Sequence, residues 1–287
     1  MASTIDAVYI QTFERNIRHL AQQSQTKLRG TIREVSTNGE KHNWERIGSI
    51  EATVKSGRLV ATPVQDTPFS RRVSIAQTFH AGDSTEQEDP VQMLVDPNSN
   101  ITQALAMAMR RGIDDRIITA ATSDALDGDG NPVTFPTSQV VGDGTGSISF
   151  DLITQVQEVF MKNDIDPEVP KTAVVGPTQV RKLMQLTENT SSDYVRAQQL
   201  QQYGIAPNWM GFNWIVSTRL LAPVAGEISC LFYTKNALGL QVNRDITARV
   251  QEDPSVSFAW RLYTFATMGA VRVEDEHIVH GHFADTV

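Results

Sequence analysis

Apolar residues recur at every fourth position through PNSNITQALAMAMRRGIDDRIITAATSDAL (97–126), where Ile101, Leu105, Met109, Ile113 and Ile117 form one stripe. That spacing predicts the chain's longest helix, with Asn100 placed to cap it and Gly112 weakening its middle. Shorter helical patterns fall on Val8, Phe13, Ile17 and Leu20, and on FDLITQVQEVFMKN (150–163), where Ile153, Val156 and Phe160 share a face. A buried strand TAVV (172–175) passes through Gly176-Pro177 into a helix carrying Val180, Leu183, Met184 and Leu186, and a polar helix is expected near 192–204.

Strand patterns complete the picture. TIREV (31–35) and NWERI (43–47) predict short strands, and DTPFSRRVSIAQTFHAG (66–82) an extended segment. Between them IEATVKSGRLVATPV (50–64) alternates Ile50, Ala52 and Val54 with polar residues around Ser56-Gly57, which predicts a hairpin. Only one weak face of that hairpin is apolar, so it needs something to pack on. FNWIVS (212–217) and ISCLFY (228–233) predict further strands, and residues 256–283 two long antiparallel strands joined around Met268-Gly269. The stretch 123–147 is loop, rich in Gly, Pro and Asp, and no internal repeat is present.

Five charges crowd the long helix: Arg110, Arg111, Asp114, Asp115 and Arg116. Arg110 precedes Asp114, and Arg111 precedes Asp115, by the four residues at which helical side chains meet. A solvated or interfacial helix face is expected there, not a catalytic cluster.

The 287 residues, 40% hydrophobic and 20% charged, suit a globular protein of one large or two modest domains. No apolar run reaches membrane-spanning length, and the start MASTIDAVYIQTFERNIRHLAQQ has no pattern of a secretory signal. The single cysteine, Cys230, lies in an apolar strand pattern and fits a reducing cytoplasm. A net charge of -8 argues against a protein that grips phosphates, though not against one that surrounds nucleic acid.

Tests for chemistry fail. DGDGNP (127–132) begins like a calcium loop but has Pro132 at the required glycine and Ser138 at the closing glutamate. GDGTGS (142–147) lacks both phosphate-loop patterns. His277, His280 and His282 have no cysteine partners, so strand-end exposure is expected for them instead of zinc binding. Glu274, Asp275 and Glu276 are contiguous and would alternate faces on a strand. No catalytic, cofactor-binding or metal residue is assigned, no cofactor is expected, and the chain is not expected to be an enzyme.

Several stretches resemble one broad group of tailed-phage major capsid proteins, which share the fold named after phage Hong Kong ninety-seven. They are DTPFSRRV (66–73), VDPNSNITQALAMAMRRGIDDRIITAA (95–121), VPKTAVVGPTQVRKLMQL (169–186), GFNWIVSTRL (211–220) and FYTKNALGLQVNRDITARVQEDP (232–254). The resemblance implies an α+β fold with an N-terminal arm and first peripheral strands over 1–44 and an extended hairpin loop over 45–85. A peripheral domain over 86–147 would hold a spine helix at about 100–124, followed by an axial domain over 148–245 and peripheral return strands over 246–287. It also implies a shell protein that self-assembles into hexamers and pentamers around double-stranded DNA and matures from a procapsid. The expected partners are its own copies, a separate scaffolding protein, a portal and a decoration protein. The expected locations are the virion and, during assembly, the bacterial host cytoplasm. No scaffolding segment is expected at the N-terminus. Lys55 sits by the hairpin tip, but no Asn-and-Glu pair for a family-type isopeptide cross-link can be picked out. The expected intersubunit contacts are Lys55, Ser56, Gly57 and Arg58 at that tip, together with Arg71 and Arg72, for which ordinary surface charges are an equal reading. An encapsulin-like compartment shell and a soluble α/β enzyme built on 148–245 are the alternatives.

Overall fold

A computed structural model describes residues 22–61, 64–86, 97–185 and 208–285, the side chains of 97–99 excepted. The expected first helix, the polar helix near 192–204 and Leu186 fall outside the described residues. In chain order the strands are β1 (Arg33–Ser36), β2 (Lys41–Ile47), β3 (Phe69–Ile75), β4 (Gln77–Thr85), β5 (Ala125–Asp127), β6 (Pro132–Val133) and β7 (Val140–Val141). They continue as β8 (Lys171–Val175), β9 (Asn208–Trp209), β10 (Phe212–Val216), β11 (Glu227–Thr234), β12 (Leu238–Asp253), β13 (Ala259–Arg272) and β14 (Ile278–Ala284). The helices are α1 (Pro97–Thr122), α2 (Phe150–Lys162) and α3 (Pro177–Gln185). Helix α1 starts at Pro97, whose fixed φ suits a first helical position, so Asn100 lies inside the helix and does not cap it. Helix α2 is capped by Ser149, whose hydroxyl accepts from the Leu152 N–H at 3.3 Å.

The chain divides into two compact units. The larger takes in Thr26–Thr78, Gly112–Asp245 and Thr267–Val287. Its main sheet has the order β7-β14-β11-β8-β10-β9, with β8 and β10 parallel and β11 antiparallel to both β8 and β14. Register puts Ala173, Trp214, Phe232 and Val279 on one face, where Ile153, Val156 and Phe160 of α2 and Val180 and Leu183 of α3 close the core. Each fully buried aromatic or aliphatic side chain there contributes about 1.5–3 kcal/mol. The other face carries Tyr233 and His280, whose partners are the Thr31 hydroxyl at 2.7 Å and the Ala121 carbonyl of α1 at 3.1 Å. A second sheet runs β2-β3-β5-β6 and a third β1-β12-β13-β4. Gly239 of β12 lets the Trp44 indole lie flat on the strand; a Cβ there would sit 2.6 Å from the ring.

The smaller unit holds the described parts of Met1–Gln25, Phe79–Arg111 and Ile246–Ala266. In it β12 and β13 are joined by five turn residues, 254–258, which makes them antiparallel. The Thr264 hydroxyl donates to the Ala81 carbonyl at 3.0 Å, tying β13 to β4. Tyr263 and Phe265 stack with ring centroids 5.4 Å apart.

Three expectations need correction. The hairpin exists, but its ladder is β2 against β3, from Lys41↔Ile75 to Ile47↔Phe69, and no ladder forms in the described part of 48–68. Strand β13 runs unbroken through Met268-Gly269, because Gly269 makes room for the Ile75 carbonyl, 2.5 Å from where its Cβ would lie. The last strand, β14, is placed between β7 and β11 in the six-stranded sheet instead of returning with β13.

Candidate assembly surface

The β2–β3 ladder ends in a loop whose mouth is closed by the Gly48 N–H donating to the Pro68 carbonyl at 2.8 Å. Farther out, the Gln65 amide donates to the Glu51 carbonyl at 2.9 Å. Beyond these bonds the loop carries apolar side chains in water. Val54, Leu59 and Val64 are 96%, 91% and 97% exposed, and Ile47, Ile50, Val60 and Phe69 are exposed as well. Seven large apolar residues within 47–69 far exceed the scattered singles usual on a monomer surface. Leu59 has a positive φ of 61°, a conformation that costs energy for a non-glycine residue and turns the tip here. Lys55, Ser56, Gly57 and Arg58 all lie exposed at that tip.

At the root of the loop, strand alternation separates the two expected arginines. Arg71 is exposed, pairs with Glu45 at 2.8 Å, and lines a cleft of about 420 Å³ with Asp127 and Asp129. Arg72 turns inward and is 7% exposed. Its guanidinium reaches Asp275 at 2.9 Å, and Asp275 also accepts from the Arg272 Nε at 2.5 Å. Arg272, fully buried, further donates to the Ser123 and Val133 carbonyls at 2.8 and 2.9 Å and lies 4.9 Å from the Phe135 ring centroid. Arg72 is therefore committed inside its own chain and is not offered on the surface. Asp275, expected on a strand with Glu274 and Glu276, sits instead in the turn between β13 and β14, where it neutralises part of a buried two-arginine cluster.

The histidines also differ from expectation. His280 is buried, stacks on Phe135 with ring centroids 3.7 Å apart, and has its pKa pushed down to about 4, chiefly by burial. The Nδ1 of His277 lies 2.7 Å from the Thr234 hydroxyl, and its Nε2 lies 3.0 Å from Glu274. Among the described residues no His, Cys, Asp and Glu side chains cluster as a metal site would need. No helix among them is long and apolar enough to cross a membrane.

The charges of α1 serve as fasteners. Arg110 donates to the Ser24 carbonyl at 2.9 Å and Arg111 to the Gln22 side chain at 2.7 Å. Asp114, buried, accepts the backbone N–H groups of Lys27 and Leu28 at 2.9 and 3.3 Å. Asp115 binds the Arg219 guanidinium, and Arg116 donates to Gln77. Helix spacing alone could not show these partners, because each lies far away in sequence.

An exposed apolar loop on a well-packed body, without a clustered set of reactive groups among the described residues, is the geometry of a part made to join others. The family of phage capsid proteins matches residues 5–285. The chain belongs to that family. The capsid protein also shares its fold with solved capsids. The capsid structure of cyanophage P-SCSP1u is 14% identical with a TM-score of 0.75, covering 100% of this chain and 96% of that one. A chain of Mycobacterium phage Che8 is 15% identical with a TM-score of 0.72, covering 96% and 97%. The capsid of Ralstonia phage GP4 is 10% identical with a TM-score of 0.73, covering 99% and 98%. A comparison with curated proteins finds no match. The Hong Kong ninety-seven-like fold expected from the sequence is thus present. The capsid protein is a structural component of a virion, a major capsid protein that acts by assembling with its own copies and not by catalysis.

Proposed function

We propose that the capsid protein forms hexamers and pentamers of an icosahedral shell around phage double-stranded DNA, with the loop over 48–68 lying on a neighbouring copy. The observation that carries this reading is the row of apolar side chains on that loop, which stand exposed on the chain by itself. At about 1.5–3 kcal/mol per buried side chain, covering Ile50, Val54, Leu59, Val60 and Val64 gives a gross gain on the order of 10 kcal/mol per subunit, before the cost of ordering the loop. Lys55, Ser56, Gly57 and Arg58 at the tip and Arg71 at the root are the polar contacts of this interface. Exposed cations there would steer the loop onto an acidic neighbour, in keeping with a net charge of -8. A separate scaffolding protein would hold the growing shell to its curvature in the host cytoplasm, with a portal at one vertex, and a decoration protein would add to the finished head. The same balance of charge suits a container that must not trap DNA on its wall.

Because the mouth of the loop is already closed by the Gly48–Pro68 hydrogen bond, residues 49–67 can be replaced by a tight Asn-Gly turn without disturbing the ladder. The shortened chain is expected to stay folded by circular dichroism and to form no shells by negative-stain electron microscopy, with scaffold supplied, where the full chain forms them. Normal shells from the shortened chain would remove the loop from assembly.

A further inference from the structure

Asn38-Gly39 is the one Asn-Gly step in the sequence and lies in the turn between β1 and β2. Asn38, Gly39 and Glu40 are all exposed. The turn is fixed on both sides of this step: the Thr37 N–H donates to the Val242 carbonyl at 3.0 Å, and the Glu40 carbonyl accepts from the Ala76 N–H at 2.8 Å. The Gly39 carbonyl is held by the Gln241 and Asn243 side-chain amides, both at 2.7 Å. Two groups are left out of these bonds. Among the described residues the Asn38 side chain has no hydrogen-bond partner, and neither does the Gly39 N–H. Those are the two groups that must meet if the backbone nitrogen is to attack the side-chain amide, and glycine has no Cβ to hinder the approach.

We infer that Asn38 is a site of spontaneous covalent modification, an intramolecular deamidation that the folded chain leaves open. The Gly39 nitrogen, losing its proton to solvent, bonds to the Asn38 Cγ; the Cγ–Nδ2 bond breaks and ammonia leaves, closing a five-membered succinimide. Water then opens the ring at either carbonyl and gives aspartate or isoaspartate, so each event adds one negative charge. Isoaspartate also adds one carbon to the main chain between the bonds at Thr37 and Gly39, a lengthening the doubly held Gly39 carbonyl must absorb.

Each of the three Asp-Gly steps has a reacting group tied up by hydrogen bonds: at Asp129-Gly130 the Gly130 N–H donates to the Asp127 carbonyl, and at Asp143-Gly144 the Gly144 N–H donates to the His282 carbonyl, both at 3.2 Å. The Asp127 carboxylate accepts the Asp129 and Asn131 N–H groups at 2.9 and 2.8 Å and the Asn131 side chain at 3.2 Å. The Asp143 carboxylate accepts the Thr145 N–H and hydroxyl at 3.0 and 2.8 Å. Both carboxylates are thus engaged by donors of their own loops. Exposure alone therefore does not select the site; freedom of both reacting groups does.

The test incubates the full native chain at mildly alkaline pH and digests it with trypsin, which releases Glu34–Lys41 as one peptide. That peptide is expected to gain the mass of an amide-to-acid conversion and to accept methyl groups from an isoaspartate-specific methyltransferase. The tryptic peptide Ile117–Lys162, which carries all three Asp-Gly steps, should accept none. The native rate should fall within a factor of about 3 of the rate in urea, since the two reacting groups are exposed and unbonded although the turn around them is held. Gly39→Ala should slow the conversion several-fold, and Asn38→Gln should abolish it. Conversion in the native chain much slower than in urea, or no faster at Asn38 than at Asn163 or Asn236, would overturn the inference.

Discussion

Asp275 offers the sharpest test of how the root of the loop over 48–68 is held. Its two oxygens take one charge-assisted hydrogen bond each, from Arg72 at 2.9 Å and from Arg272 at 2.5 Å. At about 1.5–3 kcal/mol per hydrogen bond to a charged group, the two together are worth about 3–6 kcal/mol. Removing the carboxylate strands two buried cations, and breaking a buried pair in this way costs about 3–5 kcal/mol. Asp275→Ala is therefore expected to lose about 3–5 kcal/mol. Arg72→Met should behave differently. It removes the less well bonded cation, whose Nε has no hydrogen-bond partner, and leaves Asp275 paired one-to-one with Arg272. It should cost no more than about 1 kcal/mol and could stabilise, as apolar replacement of buried ions often does. Arg71→Met, one residue away on the wet face, should fall within about 1 kcal/mol of the parent. Urea unfolding followed by tryptophan fluorescence suits the comparison, because Trp44 packs with Val271 and Val273 beside this cluster. An Asp275→Ala loss below about 1 kcal/mol, or an equal loss in Arg72→Met, would refute the account of the cluster as one anion serving two cations.

Two further outcomes follow from buried titratable groups. His280 is neutral in the fold because burial pushes its pKa from 6.5 down to about 4, so the unfolded chain takes up the proton first as the pH falls. Its contribution is complete above about pH 6.5, is lost as the pH drops toward 4, and reaches about 3 kcal/mol at 1.36 kcal/mol per pKa unit. His280→Gln should flatten the urea midpoint between those pH values, and an unchanged slope would count against it. Lys171, buried, donates from its ammonium to the Asp166, Pro167 and Val169 carbonyls at 3.0, 3.3 and 3.3 Å, so Lys171→Met leaves three acceptors unpaired. At about 1–3 kcal/mol for each buried group left unsatisfied, part of it recovered by relaxation, denaturant melts should show a loss of about 2–4 kcal/mol.

The elements that could be read in advance are those whose pattern serves the chain's own core. The stripe from Met109 to Ile117, the α2 face of Ile153, Val156 and Phe160, and the β8-turn-α3 passage each fold as their periodicity predicts. The misreadings share a cause: a local signal was serving a distant partner. The alternation through 50–64 predicts a ladder, yet Val54 and Val64 face solvent, as the proposed contact with a neighbouring copy would require. Gly269 looks like a turn residue, but its missing side chain admits the Ile75 backbone. Arg71 and Arg72 are chemically identical in the sequence, and the faces of β3 alone separate a surface cation from a buried one. Asp275 carried no signal at all, because its two arginine partners are 203 and 3 residues away and only the fold brings all three together.

The lone cysteine has a practical meaning for anyone who wants to use such particles. Cys230 is fully buried in the middle of β11, and burial pushes its pKa up to about 12, so neither maleimides nor oxidants find a thiolate there. Every copy thus presents a chemically silent background. A single cysteine placed at Lys55 or Arg58 would be the only addressable thiol per subunit, and its reactivity before and after shell formation would report directly whether the loop tip finds cover, as proposed above.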